Sequence, residues 1–320
     1  MPGGVGQQVL AISGGVGGAK LALGLDRVLP PGQLQVLANT ADDFEHLGLT
    51  ICPDIDTLLY TLSGRANRAQ GWGLEGESWN VMGALEALGG ETWFRLGDRD
   101  IATHLWRSTR LAAGRPLSQV TAELARRMGI HSAIHPMSEQ SVRTVVETDE
   151  GPLPFQQYFV KRQCEPAVSG FHFAGMDTAQ ANPAVLDVLR QPLSHIVICP
   201  SNPFVSVDPI LRLPGMWQAL RDAPAPVIAV SPIVGGMAIK GPAAKMMREL
   251  AMPVTALGVA EHYQRSYPGL LDYFVIDETD ATLAADIERL GLSCRVTATV
   301  MHTQNDKQSL ARYCLSLEGN

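Results

Sequence analysis

The chain has 320 residues, 46% of them hydrophobic and 18% charged, and a formal net charge of −7. This is a folded composition, and its length suits one large α/β domain or a domain carrying an insertion. The acidic balance gives no electrostatic case for nucleic acid as a partner, while leaving room for a local basic pocket around a small anion.

The first residues, MPGGVGQQ, have neither a basic region nor a long apolar core, so no signal peptide is expected. Val9 to Ile12 then predicts a strand, Ser13 to Gly18 a tight loop and Ala19 to Leu29 a helix. Strand, glycine loop and helix together offer free N–H groups and the positive end of a dipole, which is where phosphate sits. The phosphate-loop pattern fails here, because Ala19 stands at its last glycine and Leu21 at its Ser or Thr. The dinucleotide pattern fails as well, because Lys20 stands at its third glycine. What survives is an anion-contacting loop of Gly14, Gly15, Gly17 and Gly18, with Lys20 in reach of a phosphate or simply solvated.

Leu34 to Ala38 predicts the second strand, and its exit holds Asn39, Thr40, Asp42, Asp43 and Glu45, followed by Asp54 and Asp56. Oxygen-rich clusters of this kind suit Mg²⁺, which takes one or two carboxylates together with substrate phosphates. The plainer alternative is helix capping and loop hydrogen bonding. Residues 74–129 read as mostly helical, with Arg95, Asp98, Arg99, Asp100, His104 and Arg107 clustered; Arg99 suits a phosphate contact and His104 ligand orientation or proton transfer. Residues 141–160 read as a hairpin, with Pro152 and Pro154 at an edge.

From 195 onward α/β signals return. HIVICP, APVIAVSP, PVTALGVA, DYFVID and CRVTATV are strand candidates, with helices expected over 208–221 and 240–250 and a short one in the tail. Two further strand exits carry polar groups: Ser201, Asn202 and Pro203 in one, and Ser231, Gly235, Gly236, Lys240 and Lys245 in the other. Several such exits along one open sheet point to a shared crevice at its carboxyl edge. The expected architecture is therefore a Rossmann-like, mainly parallel sheet with helices on both faces. It forms a single domain, 1–320, with a helical and hairpin insertion over about 72–180. Five dispersed cysteines without C-x-x-C spacing argue for free thiols in a reducing compartment. No apolar run reaches the roughly 20 residues that span a bilayer, so a cytoplasmic protein without a membrane partner is expected.

Taken together, SGGVGGAKLALGL, ANTADDFEHLGL, PDIDTLLYTLSG, GWGLEGESWNVM, WFRLGDRDIATH, PSNPFVSVDPIL and SPIVGGMAIKGPAAKMM resemble the 2-phospho-L-lactate transferase family of coenzyme F420 biosynthesis. The resemblance implies a Mg²⁺-dependent homodimer with a Rossmann-like core. Its donor would be a guanosine-diphosphate-activated three-carbon acid: phospholactyl, phosphoenolpyruvyl or 3-phosphoglyceryl. Its acceptor would be the ribityl hydroxyl of the deazaflavin Fo, with GMP released. Carried onto this chain, it implies that Gly14, Gly15, Gly17 and Gly18 lie near the donor phosphates. Asp43 and Asp56 become first choices for catalysis or Mg²⁺, with Asp42 and Asp54 next, and Ser201, Asn202 and Pro203 fall on the guanosine side. Ser231 to Lys240 would line the same crevice, and Trp72, Trp79, Trp93 and Trp106 are either core residues or ring-stacking candidates. A nucleotide-binding regulatory protein and another nucleotide-dependent phosphotransferase are the alternatives.

Overall fold

The structure, a computed structural model, describes residues 8–238 and 241–318. The chain begins with β1 (Gln8–Ser13), α1 (Gly15–Val28) and β2 (Leu34–Ala38). Next come a small antiparallel hairpin, β3 (Phe44–His46) and β4 (Leu49–Ile51), and helix α2 (Pro53–Leu62). The helices α3 (Asn80–Ala87), α4 (Asp98–Ala112) and α5 (Leu117–Arg127) lead to β5 (Ala133–Pro136). The strands β6 (Arg143–Thr148), β7 (Gly151–Pro154) and β8 (Val168–Ala174) form their own antiparallel sheet, followed by α6 (Pro183–Leu189). The second half runs β9 (Leu193–Ile198), α7 (Asp208–Leu211), α8 (Met216–Arg221), β10 (Val227–Val230) and a two-stranded turn, β11 (Ile233–Val234) with β12 (Met237–Ala238). It ends with α9 (Ala243–Glu249), α10 (Ala256–Ser266), β13 (Tyr273–Ile276), α11 (Ala284–Glu288), β14 (Ser293–Val296) and α12 (Gln304–Cys314).

Seven strands form one sheet in the order β14-β13-β10-β9-β1-β2-β5, every neighbouring pair parallel. Its central strands are near-continuous apolar runs because both faces are covered. One face packs against α1, α2, α5 and α12, and the other against α6 to α10 and the three-stranded sheet. The chain grows outward from β1 through β2 to β5, then returns to β9 on the other side of β1. That reversal places a topological switch point between β1 and β9, the position at which open α/β sheets ordinarily bind their ligands.

Three local expectations change. The helix after β1 starts at Gly15, so Gly15, Gly17 and Gly18 lie in its first turn rather than in a loop. The segment PVTALGVA is helix, not strand: the Thr255 side chain accepts from the Gly258 N–H and caps α10. The helix expected over 208–221 is split, with Gly215 at φ +78° between α7 and α8. The edge position of Pro152 and Pro154 holds, since β7 pairs with β6 alone. The segment 72–180 also supplies β5, which pairs with β2 in the main sheet.

Candidate active site

The β1–α1 junction is held by neighbours rather than left open. The Gly14 N–H donates to Ser201 Oγ at 3.1 Å and the Gly15 N–H to Asp54 Oδ1 at 2.6 Å. A Cβ on Gly14 would meet Ser206 at 2.5 Å, and one on Gly18 would meet the Ser13 and Ser201 hydroxyls at 2.5 and 2.6 Å. A Cβ on Gly17 would collide with the Pro200 carbonyl. These three glycines let α1 press against the loop after β9, while Gly15, at φ +66°, makes the turn itself. Lys20 donates to the Met301 carbonyl at 3.0 Å.

The loop after β2 is built around buried carboxylates. Asn39 donates to Asp54 Oδ2 at 2.9 Å and, through its own Oδ1, accepts from Ala41 N–H at 3.0 Å. Asp54 thus joins the exits of β1 and β2. Thr144 donates to Asp42 at 3.3 Å, and Arg143 donates to the Thr40 carbonyl at 3.3 Å. Both oxygens of Asp56 accept from Arg107, one of them at 3.1 Å. Asp43 differs: it is 3% exposed, and its Oδ1 has no hydrogen-bond partner among the described residues. The Thr40 Oγ1 and Ser13 Oγ share that condition.

Electrostatics follow from this crowding. Burial pushes the Asp43 carboxyl up to about 8, the Asp56 charge adding to it and Arg143, Cys52 and Arg107 opposing it. Burial, then the charges of Asp54 and Asp43, hold Asp42 well above the usual carboxylate range. Burial lifts Asp54 to about 6 against its bonds from Asn39 and Gly15. Carboxylates buried this close together favour a cation. Asp43 and Asp56 fit Mg²⁺ best: Asp43 has an uncommitted oxygen, and each Asp56 oxygen keeps a lone pair beyond the one Arg107 uses. Among the described residues no three His, Cys, Asp or Glu side chains form a preformed cage, so the remaining ligands would have to be water and substrate oxygens.

Other expected residues take different places. His104 is buried beneath Asp56, with Nε2 3.2 Å from Asp100. Arg99 is exposed at the start of α4 and donates to the Glu75 carbonyl at 3.2 Å. Asn202 caps the turn that begins at Pro203, its Oδ1 accepting from Phe204 N–H, while among the described residues its Nδ2 has only the Met246 sulfur, at 3.8 Å. Ser231 is buried at the end of β10 and donates to the Ile233 carbonyl at 2.9 Å. Gly235 and Gly236 form the exposed β11–β12 turn, and Gly235 N–H donates to Asp280. Lys240 lies outside the described residues. Lys245 turns to Glu249 at 2.6 Å and the Pro166 carbonyl at 2.9 Å. Trp106 stacks under Arg110, Trp72 meets Trp79 edge-on, and Trp93 packs with Phe44 and His46 beside the acidic loop. The sequence reading missed Cys52, Arg143, Thr144 and Ser206, whose links to the site are tertiary and leave no local pattern.

Comparison with known proteins agrees with the fold. A Bacillus halodurans protein of the UPF0052 family superposes with a TM-score of 0.66 at 15% identity, covering 98% of this chain and 100% of its own. The phosphoenolpyruvate transferase of Streptomyces griseus is 38% identical over 97% of this chain and 98% of its own length. The 2-phospho-L-lactate transferase of Methanosarcina acetivorans is also 38% identical, over 97% and 98%. The sequence model described as 2-phospho-L-lactate transferase CofD matches residues 9–309, so the chain belongs to the CofD family.

Proposed function

We propose that this protein transfers a phospho-acid from a guanosine-diphosphate-activated three-carbon donor to the ribityl hydroxyl of the deazaflavin Fo, releasing GMP in F420 synthesis. Membership of the CofD family supports the transferase class. The observation that carries the site is Asp43, a buried carboxylate on the exit of β2, beside the switch-point strand β1, with one oxygen unpartnered among the described residues.

The donor diphosphate lies over the first turn of α1, whose dipole favours anions. Ser201 accepts the Gly14 N–H and keeps its own hydrogen for a phosphate oxygen. The guanosine lies along the 201–203 turn, where the Asn202 amide hydrogens, facing only a thioether, suit the acceptor edge of guanine. Asp43 and Asp56 would hold Mg²⁺, which would supply charge compensation on the phosphates. Asp43 orients the acceptor hydroxyl and is the carboxylate placed to take its proton. Asp42 and Asp54 hold the two loops in register through Thr144, Asn39 and Gly15. Catalysis then comes from positioning and charge compensation without a covalent enzyme intermediate.

The donor acid is a separate question, because relatives named for phosphoenolpyruvate and for phospholactate are equally similar. The protein is incubated with Fo, Mg²⁺ and each guanylylated three-carbon acid in turn, and GMP and product mass are followed. Product with one donor, lost when EDTA removes the metal, is expected; no product with any donor overturns the reading. The homodimer belongs to the same proposal, and light scattering tests it.

A further inference from the structure

Helix α4 carries Asp100, His104 and Arg107 on one stripe, a spacing that a 3.6-residue turn stacks on a single face. All three are buried, and Arg107 is 0% exposed. A guanidinium that deep is unfavourable unless it is fully paired. Helix α2 supplies partners for the two terminal nitrogens, while Nε has none among the described residues. Asp56 accepts both terminal nitrogens of Arg107, and the Tyr60 hydroxyl donates to Asp100 at 2.5 Å. His104 fills the middle, with Nδ1 3.2 Å from Arg107 Nη1 and Nε2 3.2 Å from Asp100. A run of close polar contacts therefore links Tyr60 to Asp56 between the two helices, although His104 Nε2 makes no hydrogen bond among the described residues.

Arg107 makes one contact more. Its Nη1 reaches the Thr50 carbonyl at 3.4 Å, in β4 of the hairpin that directly follows Asp43. One rigid, planar fork thus touches both the carboxylate of Asp56 and the backbone of the element that leaves the Asp43 loop. A fork bound to both oxygens fixes the plane of a carboxylate, which a point-charge ammonium does not.

We infer that Arg107 is the positioning residue of the acidic pair: its fork fixes the Asp56 carboxylate and, through Thr50, the hairpin beside Asp43, so that helix α4 sets the spacing of the two carboxylates. The catalytic consequence rests on the transferase reading; the geometric claim is measurable without turnover.

The test is Arg107→Lys, which keeps the charge and removes the fork. Mn²⁺ binding is titrated by EPR on the protein alone, and kcat and KM are measured with the productive donor. The expected result is a fall of about 10-fold or more in Mn²⁺ affinity and in kcat, the usual consequence of losing an outer-shell partner of a metal ligand. KM for the deazaflavin stays close to that of the unaltered protein. A folded lysine variant that binds Mn²⁺ and turns over normally overturns the inference. A lowered Tm with unchanged Mn²⁺ affinity and kcat also overturns it, because Arg107 is then only a brace. If the lysine variant fails to fold, Tyr60→Phe breaks the far end of the chain more gently; a smaller fall in Mn²⁺ affinity and kcat supports the inference, and no change overturns it. If the unaltered protein makes no product with any donor but Arg107→Lys weakens Mn²⁺ binding, the transferase reading falls and the positioning role stands.

Discussion

The loops that leave β1 and β2 lie side by side on one sheet edge, yet they are finished in opposite ways. After β1, the Gly14 and Gly15 N–H groups are taken by Ser201 and Asp54, and the space beside Gly14, Gly17 and Gly18 is filled by the 200–206 loop and Ser13. After β2, Asp43 Oδ1 and Thr40 Oγ1 are buried without partners among the described residues. The first loop is therefore mainly a scaffold whose glycines serve close packing, with Ser13 Oγ its one unpartnered side-chain atom among the described residues, and the second holds the larger polar capacity in reserve. Buried polar groups in proteins are ordinarily bonded, so the reserve marks where a ligand completes the structure.

The largest effect expected from this contrast is in the second loop. Asp43→Asn should lower kcat by about 10²–10⁴-fold, the usual worth of a positioned acid–base group. The same change should leave Tm near that of the unaltered protein, because asparagine is close in shape to a carboxyl that burial keeps largely protonated below about pH 8. Near-normal turnover in the asparagine variant would remove Asp43 from the chemistry. In the first loop the balance reverses. Gly17→Ala drives a Cβ into the Pro200 carbonyl, and overpacking of that kind costs about 1–3 kcal/mol. Urea unfolding should show that loss, with activity falling because α1 and the 200–206 loop move apart. An alanine variant of full stability would mean that the glycine serves a ligand rather than the packing.

The contrast also explains what was legible in the sequence. The parallel sheet was legible because its inner strands are unbroken apolar runs, and the four polar strand exits were legible because parallel strands all end on the same edge. The strand β5 was not: AIHP is short, and only its pairing with β2 defines it. The α10 helix was misread because VTALGVA carries β-branched residues, while the deciding signal is one threonine capping Gly258. At the site, the residue types were visible and their division of labour was not. Composition and spacing make Asp42, Asp43, Asp54 and Asp56 look alike; the family resemblance puts Asp43 and Asp56 first, and the tertiary partners set Asp43 apart by its unpartnered oxygen among the described residues. Arg107 stood in a visible helical stripe with Asp100 and His104, but its counter-ion is 51 positions away.

The smallest predicted effect sharpens the comparison most. Thr40→Val keeps the branched shape and deletes a buried hydroxyl that lacks a partner among the described residues. Leaving such a group unsatisfied costs about 1–3 kcal/mol, so the valine variant should be as stable as the unaltered protein or somewhat more so. If the hydroxyl is held for a ligand, KM for one substrate should rise several-fold while the fold gains stability; opposite signs in the two measurements are the signature of reserved capacity. A variant with unchanged KM for both substrates would confine that reserve to Asp43. The case for the site would then stand on the asparagine variant alone.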